Sequence, residues 1–208
     1  MTSSEGIEFV STLIHSRQHV APRRLVEPGP TERQLQDILA AAAAAPDHGQ
    51  LRPWRFVVVP ADKRDLLADV FGLALQDRDP QASPEQINNA REKAYRSPFL
   101  MLAIARLTGS TPEQETKRME AGEQAVTDAE RLVSLGCAIQ NMLLTAHAMG
   151  YGSGLTSGQA MASIRLRTLL GLGAHESAVC CINIGTVTHS KPARLRPEVS
   201  AYVSVLSA

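Results

Sequence analysis

Six consecutive alanines, Ala40–Ala45, run into a proline, a polar loop and a β-branched strand: AAAAAAPDHGQLRPWRFVVVP over residues 40–60. The alanines strip a helix end of bulk, so another backbone or a flat ligand can approach it closely. Pro46 stops that helix, because it lacks an N–H and disfavours the α region in the residue before it. Asp47, His48, Gln50 and Arg52 then crowd one short loop with hydrogen-bonding groups. Pro53 is expected to hold Arg52 extended, and Trp54–Val59 reads as a strand.

The rest of the chain alternates helical and strand signals. Ile7, Phe9, Val10, Leu13 and Ile14 fit a first helix. Thr31 reads as the N-cap of a helix to about Ala45, with Leu35, Ile38, Leu39 and Ala42 on its apolar face. Asp62 can cap a helix carrying Leu66, Leu67, Val70, Phe71 and Leu73, and Pro84–Glu85 opens a charged helix to about Tyr95 or Arg96. The apolar run Pro98–Ala105 suits a central strand covered on both faces. Thr108–Gly122 is hydrophilic. A long helix, about Thr127–Met149, has Leu132, Leu135, Ile139, Met142, Leu143 and Ala146 as its apolar stripe and Gly150 as its C′ residue. Tyr151–Gln159 is a Gly/Ser loop that starts as a short strand. Ile164–Leu172 follows as a helix and Ser177–Thr188 as a second buried strand. Val199, Ala201, Val203 and Val205 alternate, which predicts a last strand. Mixed helices and few strands give an α+β chain, read as a single domain over residues 1–208.

Composition narrows the partners. The chain has 208 residues, with Lys+Arg and Asp+Glu at 21 each. A zero net charge argues against nucleic acid or an anionic membrane surface, and favours self-association. Residues 132–164 carry no Lys, Arg, Asp or Glu, yet Ser134, Gln140, Asn141, Thr145 and His147 interrupt them. That reads as a buried helix and loop at a dimer centre, since a membrane span needs about 18 or more mostly apolar residues in a row. Cys137, Cys180 and Cys181 lack metal or redox spacing and read as reduced core thiols of a cytoplasmic protein; the adjacent pair should face opposite ways on a strand. MTSSEGIEF has neither the basic nor the apolar region of a signal peptide. The histidines form no metal spacing, and no P-loop or nucleophile elbow is present.

Two polar clusters invite a ligand. Arg17, His19, Arg23 and Arg24 lie within eight residues, as a phosphate would want, although a solvated basic loop has the same composition. Gly152-Ser153-Gly154-Leu155-Thr156-Ser157-Gly158 is not a dinucleotide fingerprint, because its third glycine is one place late and it follows a helix. It fits a flexible turn, or a backbone that a ligand approaches closely.

The pattern A-P-x-x-x-x-x-x-P-W-x-F-V-V-V, with PDH after the alanines and helix–Tyr-Gly-Ser-Gly further on, resembles the nitroreductase family of FMN-dependent oxidoreductases, and its small minimal members most. The resemblance spans about Ile14 to Gly185. It implies the nitroreductase-like fold, a central mixed sheet flanked by helices in an intertwined homodimer, with two FMN sites at the interface. In the family an S-R-R-S-type motif grips the FMN phosphate. Here Ser16 and Arg17 match outright, Gln18 follows, and His19 stands where a serine usually stands. Arg23 and Arg24 are both eligible for the basic position near the flavin pyrimidine, and Arg24 is counted among the cofactor contacts. The resemblance also places Ala44 beside the flavin and makes His48 a contact to the flavin held mainly by the other subunit. Leu155, Thr156 and Ser157 match positions beside the ring. Lys191 is the expected late basic residue at the phosphate, with Arg194 also eligible. The implied activity is NADH- or NADPH-dependent reduction of nitroaromatics, quinones or similar acceptors through FMN, with no catalytic side chain required. Alternatives on the same fold are a flavin-binding sensor or carrier without turnover, and another flavin reaction such as dehalogenation or alkene reduction.

Overall fold

The computed structural model describes residues 3–107, 116, 126–189, 192 and 195–206. The hydrophilic stretch Thr108–Gly122 falls, apart from residue 116, outside them. The elements in order are α1 (Ser3–Ser16), β1 (Leu25–Val26), α2 (Glu32–Ala41), β2 (Trp54–Val58), α3 (Arg64–Arg78), α4 (Pro84–Arg91), β3 (Phe99–Arg106), α5 (Asp128–Ala148), β4 (Gly152–Thr156), α6 (Ile164–Leu169) and β5 (Glu176–Val187).

Local chemistry sets most helix boundaries. Thr31, Ser83 and Thr127 each close a reciprocal capping box, with Gln34, Gln86 and Glu130 respectively. The alanine run behaves as its composition suggests: α2 ends at Ala41, Ala42–Ala44 tighten into a 3-10 turn, and Ala45 is extended before Pro46. Asp62 departs from expectation. It sits in a 3-10 turn, Ala61–Lys63, that makes no side-chain cap, and α3 begins after it. Gly150 takes φ +88° just past α5, the left-handed geometry a C′ residue needs.

β5 is the hub of the sheet. It pairs with β3 along residues 176–184, with β4 along residues 181–185, and with β1 at residues 186–187; β2 lies on the far edge of β3. All four pairings are antiparallel. The parallel component among the described residues is one isolated bridge, His19 to Ser153, so the mixed character expected of the sheet is confined to that point. β1 was not foreseen, because two residues are too few for a period to show. The expected last strand does not form either. Val199–Ala201 is a 3-10 turn, and the tail from Val199 to Leu206 stays exposed with no strand beside it among the described residues.

Strand alternation puts two cores on the two faces of the sheet. Met101, Ala103 and Ala105 of β3 face α2 and α5, while Leu100, Leu102 and Ile104 face α3 and α6. Cys180 joins the first core and Cys181 the second, as their adjacency requires. A register shift lies between Ala103 and Ile104, which pair with Cys180 and Ala178. The extra residue, Val179, lets Ala178 and Cys180 face opposite layers although they are two apart. Of the expected stripe on α5, Leu135, Ile139, Met142, Leu143 and Ala146 are buried, but Leu132 is exposed.

Two guanidinium groups hold irregular backbone inside the fold. Arg64 is 5% exposed and donates to the carbonyls of Val59, Ala94 and Pro98 at 2.9, 2.6 and 3.2 Å. Burial lowers its pKa, yet a guanidinium stays charged. Arg55 of β2 reaches across β3 and grips Glu176 of β5 through two bonds of 2.7 and 2.8 Å. That contact, with help from the Gly173 N–H and Arg106, holds the Glu176 carboxyl down at about 2.

Two outcomes follow. A depressed carboxyl pKa stabilises the fold above the ordinary value near 4.5 and loses that contribution as pH falls towards 2. Glu176→Gln should therefore lower stability at pH 7 by about 2 kcal/mol, and denaturant melts should show the gap to wild type closing between these pH values. At Gly154 an added Cβ would lie 2.1 Å from the Val20 carbonyl oxygen. Gly154→Ala should thus push the 19–20 segment off β4, seen as faster amide exchange at Val20, whose N–H bonds the Ser153 carbonyl at 2.9 Å.

Candidate functional site

The chain leaving α1 is laid along β4 by the His19–Ser153 bridge and the Val20 N–H bond. This juxtaposition requires glycine at position 154, because backbone occupies the space where a side chain would begin. It also carries the basic segment onto the sheet. Arg17, Gln18, His19 and Arg24 line one cavity of about 210 Å³, together with His147 from the last turn of α5 and Ser153 from β4.

The electrostatics of that cavity are one-sided. Its described lining holds two guanidinium groups and two imidazoles and no carboxylate. Arg17 is half-buried and bonds only weakly to the Gln18 carbonyl, at 3.3 Å. Burial lowers its pKa, and the neighbouring Arg196 lowers it further. Arg196 itself donates to the Arg17 carbonyl at 3.0 Å. The Ser153 hydroxyl is buried and has no hydrogen-bond partner among the described residues. An anion with acceptor oxygens would satisfy the guanidinium. Arg24 faces the cavity and donates to the His189 carbonyl, whereas Arg23 is exposed. Lys191 and Arg194 lie outside the described residues.

A second, larger cavity of about 630 Å³ opens at the other end of β4. Thr156 and Ser157 line it, as do Phe71 and Leu75 of α3, Leu100 and Cys181. Its polar rim comes from Arg78, Asn89, Lys93 and Arg96. Ser153 and Thr156 are three strand positions apart, about 10 Å, so β4 connects an anion-suited cavity to a larger one with an apolar floor. Leu155 is exposed between them. Thr156 is steadied by the buried Asn183, whose amide donates to its hydroxyl at 3.1 Å. Burial pushes the Cys181 thiol up to about 12, which keeps it protonated and unreactive at neutral pH. Asn89 and Lys93 were missed by the sequence reading. Gln86, Asn89, Ala90 and Lys93 share one face at i, i+3, i+4 and i+7, a period that could have flagged them.

The PDH loop departs from expectation at Arg52, and it lies at the opposite end of α5 from His147. Asp47 is no partner for His48: its carboxylate accepts the N–H groups of Leu51 and Arg52 at 3.0 and 2.8 Å. Those bonds hold Arg52 at φ +45° and not extended, and Gln50 is at φ +51°. His48 is exposed and lies 3.4 Å from Glu130 at the start of α5, and Ala44 is exposed on the preceding turn. His147, by contrast, ends α5. Roughly 25 Å of helix separates Glu130 from His147, so within one chain His48 stays far from Arg17. Among the described residues no metal-ligating cluster occurs.

Known proteins are similar to this chain in sequence and fold. The chain is 31% identical over 165 residues to the "Putative NAD(P)H nitroreductase YdjA" of Escherichia coli, covering 78% of this chain and 81% of the relative. A nitroreductase-like family protein from Bacillus cereus superposes with a TM-score of 0.77 at 16% identity, over 96% of each chain. An FMN-dependent nitroreductase from Clostridium difficile gives 0.60 at 20% identity, over 95% of this chain and 99% of the other. The model of the nitroreductase family matches residues 17–186. The chain therefore belongs to the nitroreductase family.

Proposed function

We propose that this protein is an FMN-dependent oxidoreductase that uses NADH or NADPH to reduce nitroaromatics, quinones or related acceptors. The observation that carries the reading is the half-buried Arg17 in a cavity whose described lining has no carboxylate, joined by β4 to a cavity with an apolar floor and a cationic rim. Arg17, Gln18, His19 and Arg24 would hold the phosphate end. Leu155, Thr156 and Ser157 would lie beside the ring. When bound, FMN supplies a two-electron carrier that takes hydride from the nicotinamide and returns it to the acceptor in a ping-pong cycle. The protein's part is to bind, orient and polarise. Positive charge at Lys93 and Arg96 favours negative charge on a reduced ring, and the protonated Cys181 offers no competing nucleophile. The relatives named as NAD(P)H nitroreductases support the donor and the reaction class.

The separation of His48 from Arg17 supports a homodimer. If two copies of α5 cross antiparallel about a two-fold axis, the His48 end of one copy meets the Arg17 end of the other. The surface agrees. On α5 the exposed residues Leu132, Val133, Gly136 and Gln140 form a charge-free face. α1 buries none of its residues within the chain, and its Ile7 is 69% exposed. The apolar tail ending in Leu206 is equally uncovered. Such surface calls for a partner, and a second copy supplies one without any further component. No described helix is long and apolar enough to cross a membrane.

Arg17→Ala should weaken FMN binding by about ten- to a hundredfold, measured by flavin fluorescence quenching, in keeping with loss of a charge-assisted contact. Unchanged affinity would sink the site assignment. Steady-state oxidation of NADH and NADPH with a quinone or nitroaromatic acceptor should show turnover; flavin bound without turnover would make the protein a carrier or sensor instead. An added Cβ at Gly136 meets nothing within 4 Å inside the chain. Gly136→Glu should accordingly leave the monomer folded while converting dimer to monomer in sedimentation velocity.

A further inference from the structure

The imidazole of His147 is not accounted for by the cofactor contacts carried over from the family pattern. It ends α5, faces the same cavity as Arg17, and its Nε2 lies 2.7 Å from Ser16 Oγ. We propose that His147 is a second ligand for the anion beside Arg17, an imidazole that takes up a proton when the phosphate of the flavin nucleotide enters this cavity. The inference rests on the cofactor reading above.

The charges around the ring set the sign. Partial burial lowers the His147 pKa, and the Arg17 cation lowers it further, so the ring is neutral at pH 7 in the empty cavity. The titratable and charged groups lining the cavity with it are Arg17, His19, Arg24 and Tyr151. Arg196 stands behind Arg17, and α1 contributes Ser16, with His15 exposed and outside the lining. Tyr151 turns its hydroxyl away to Gln34, donating to its side-chain oxygen at 2.9 Å. No described carboxylate faces the ring, and the carbonyl ends of the last turn of α5 are the nearby negative poles. A phosphate dianion reverses this balance. It screens Arg17 and places acceptor oxygens beside the imidazole, which favours the imidazolium. The proton comes from solvent and goes to a ring nitrogen; no bond to phosphorus changes. Ser16 keeps the ring in the cavity by holding one of its nitrogens.

FMN binding is therefore coupled to pH through His147. Calorimetric titration of FMN into the wild-type protein, in two buffers of different ionisation enthalpy at pH 7.5, should show net proton uptake. His147→Gln should bind FMN without that uptake, and its affinity should fall less steeply with rising pH, where a linked proton gives up to about tenfold per pH unit. The titration of the phosphate itself is common to both proteins and cancels in the comparison. In the wild type, one imidazole NMR resonance should move to a higher midpoint on adding FMN, a reading that does not depend on the variant folding. Equal proton uptake by His147→Gln and wild type, or no shifted imidazole, overturns the inference and leaves the cofactor reading intact. An Arg17→Ala variant with wild-type FMN affinity overturns both.

Discussion

The ladder between β3 and β5 is the interaction on which the other elements depend. It is buried on both faces, and β4, the strand that runs between the two cavities, is attached to it. β5 carries β4 on residues 181–185, and β4 in turn receives the basic segment through His19 and Val20. A slip of one residue in β5 would exchange Cys180 for Cys181 between two cores and move Thr156 away from Asn183. The bulge at Val179 confines that exchange to the end of the strand remote from β4. The Arg55–Glu176 pair then fixes the same end from β2, across β3. Register and side-chain chemistry thus reinforce each other at the far end and leave the near end free for a ligand.

How much of this was legible in the sequence depended on range. The N-cap at Thr31, the helix start near Thr127, the alanine run and the two long strands are local signals, and their elements formed close to where the pattern put them. Asp62 and Arg52 went otherwise for local but competing reasons: a 3-10 turn took the place of the cap, and two N–H bonds to Asp47 outweighed the proline preference at Arg52. The alternation at Val199, Ala201, Val203 and Val205 is a real period, but among the described residues no strand pairs with the tail, and a period alone cannot supply one. Long-range facts were invisible. Nothing in the order of residues shows that His147, more than a hundred positions from Ser16, shares its cavity, or that Asn89 and Lys93 rim the larger one.

The arginines show why the candidate site stands out from the rest of a chain with no net charge. Arg55, Arg91, Arg106 and Arg165 each meet a carboxylate. Arg64 and Arg131 are buried against backbone carbonyls, which substitute for water. These six are explained by the fold. Arg17 is half-buried, has one long bond to a carbonyl among the described residues, and has Arg196 for a neighbour. Desolvating a cation beside other cations costs free energy unless an anion arrives. A fold that gives those six arginines carboxylate or carbonyl partners, yet leaves Arg17 and Arg24 in one cavity with Arg196 behind Arg17 and no described carboxylate in its lining, has the charge distribution of a receptor and not of a scaffold. The same reasoning gives His147 its role. In such surroundings an imidazole is neutral while the cavity is empty and cationic once a phosphate is inside, so a residue that costs nothing when free adds a charge when the anion is bound.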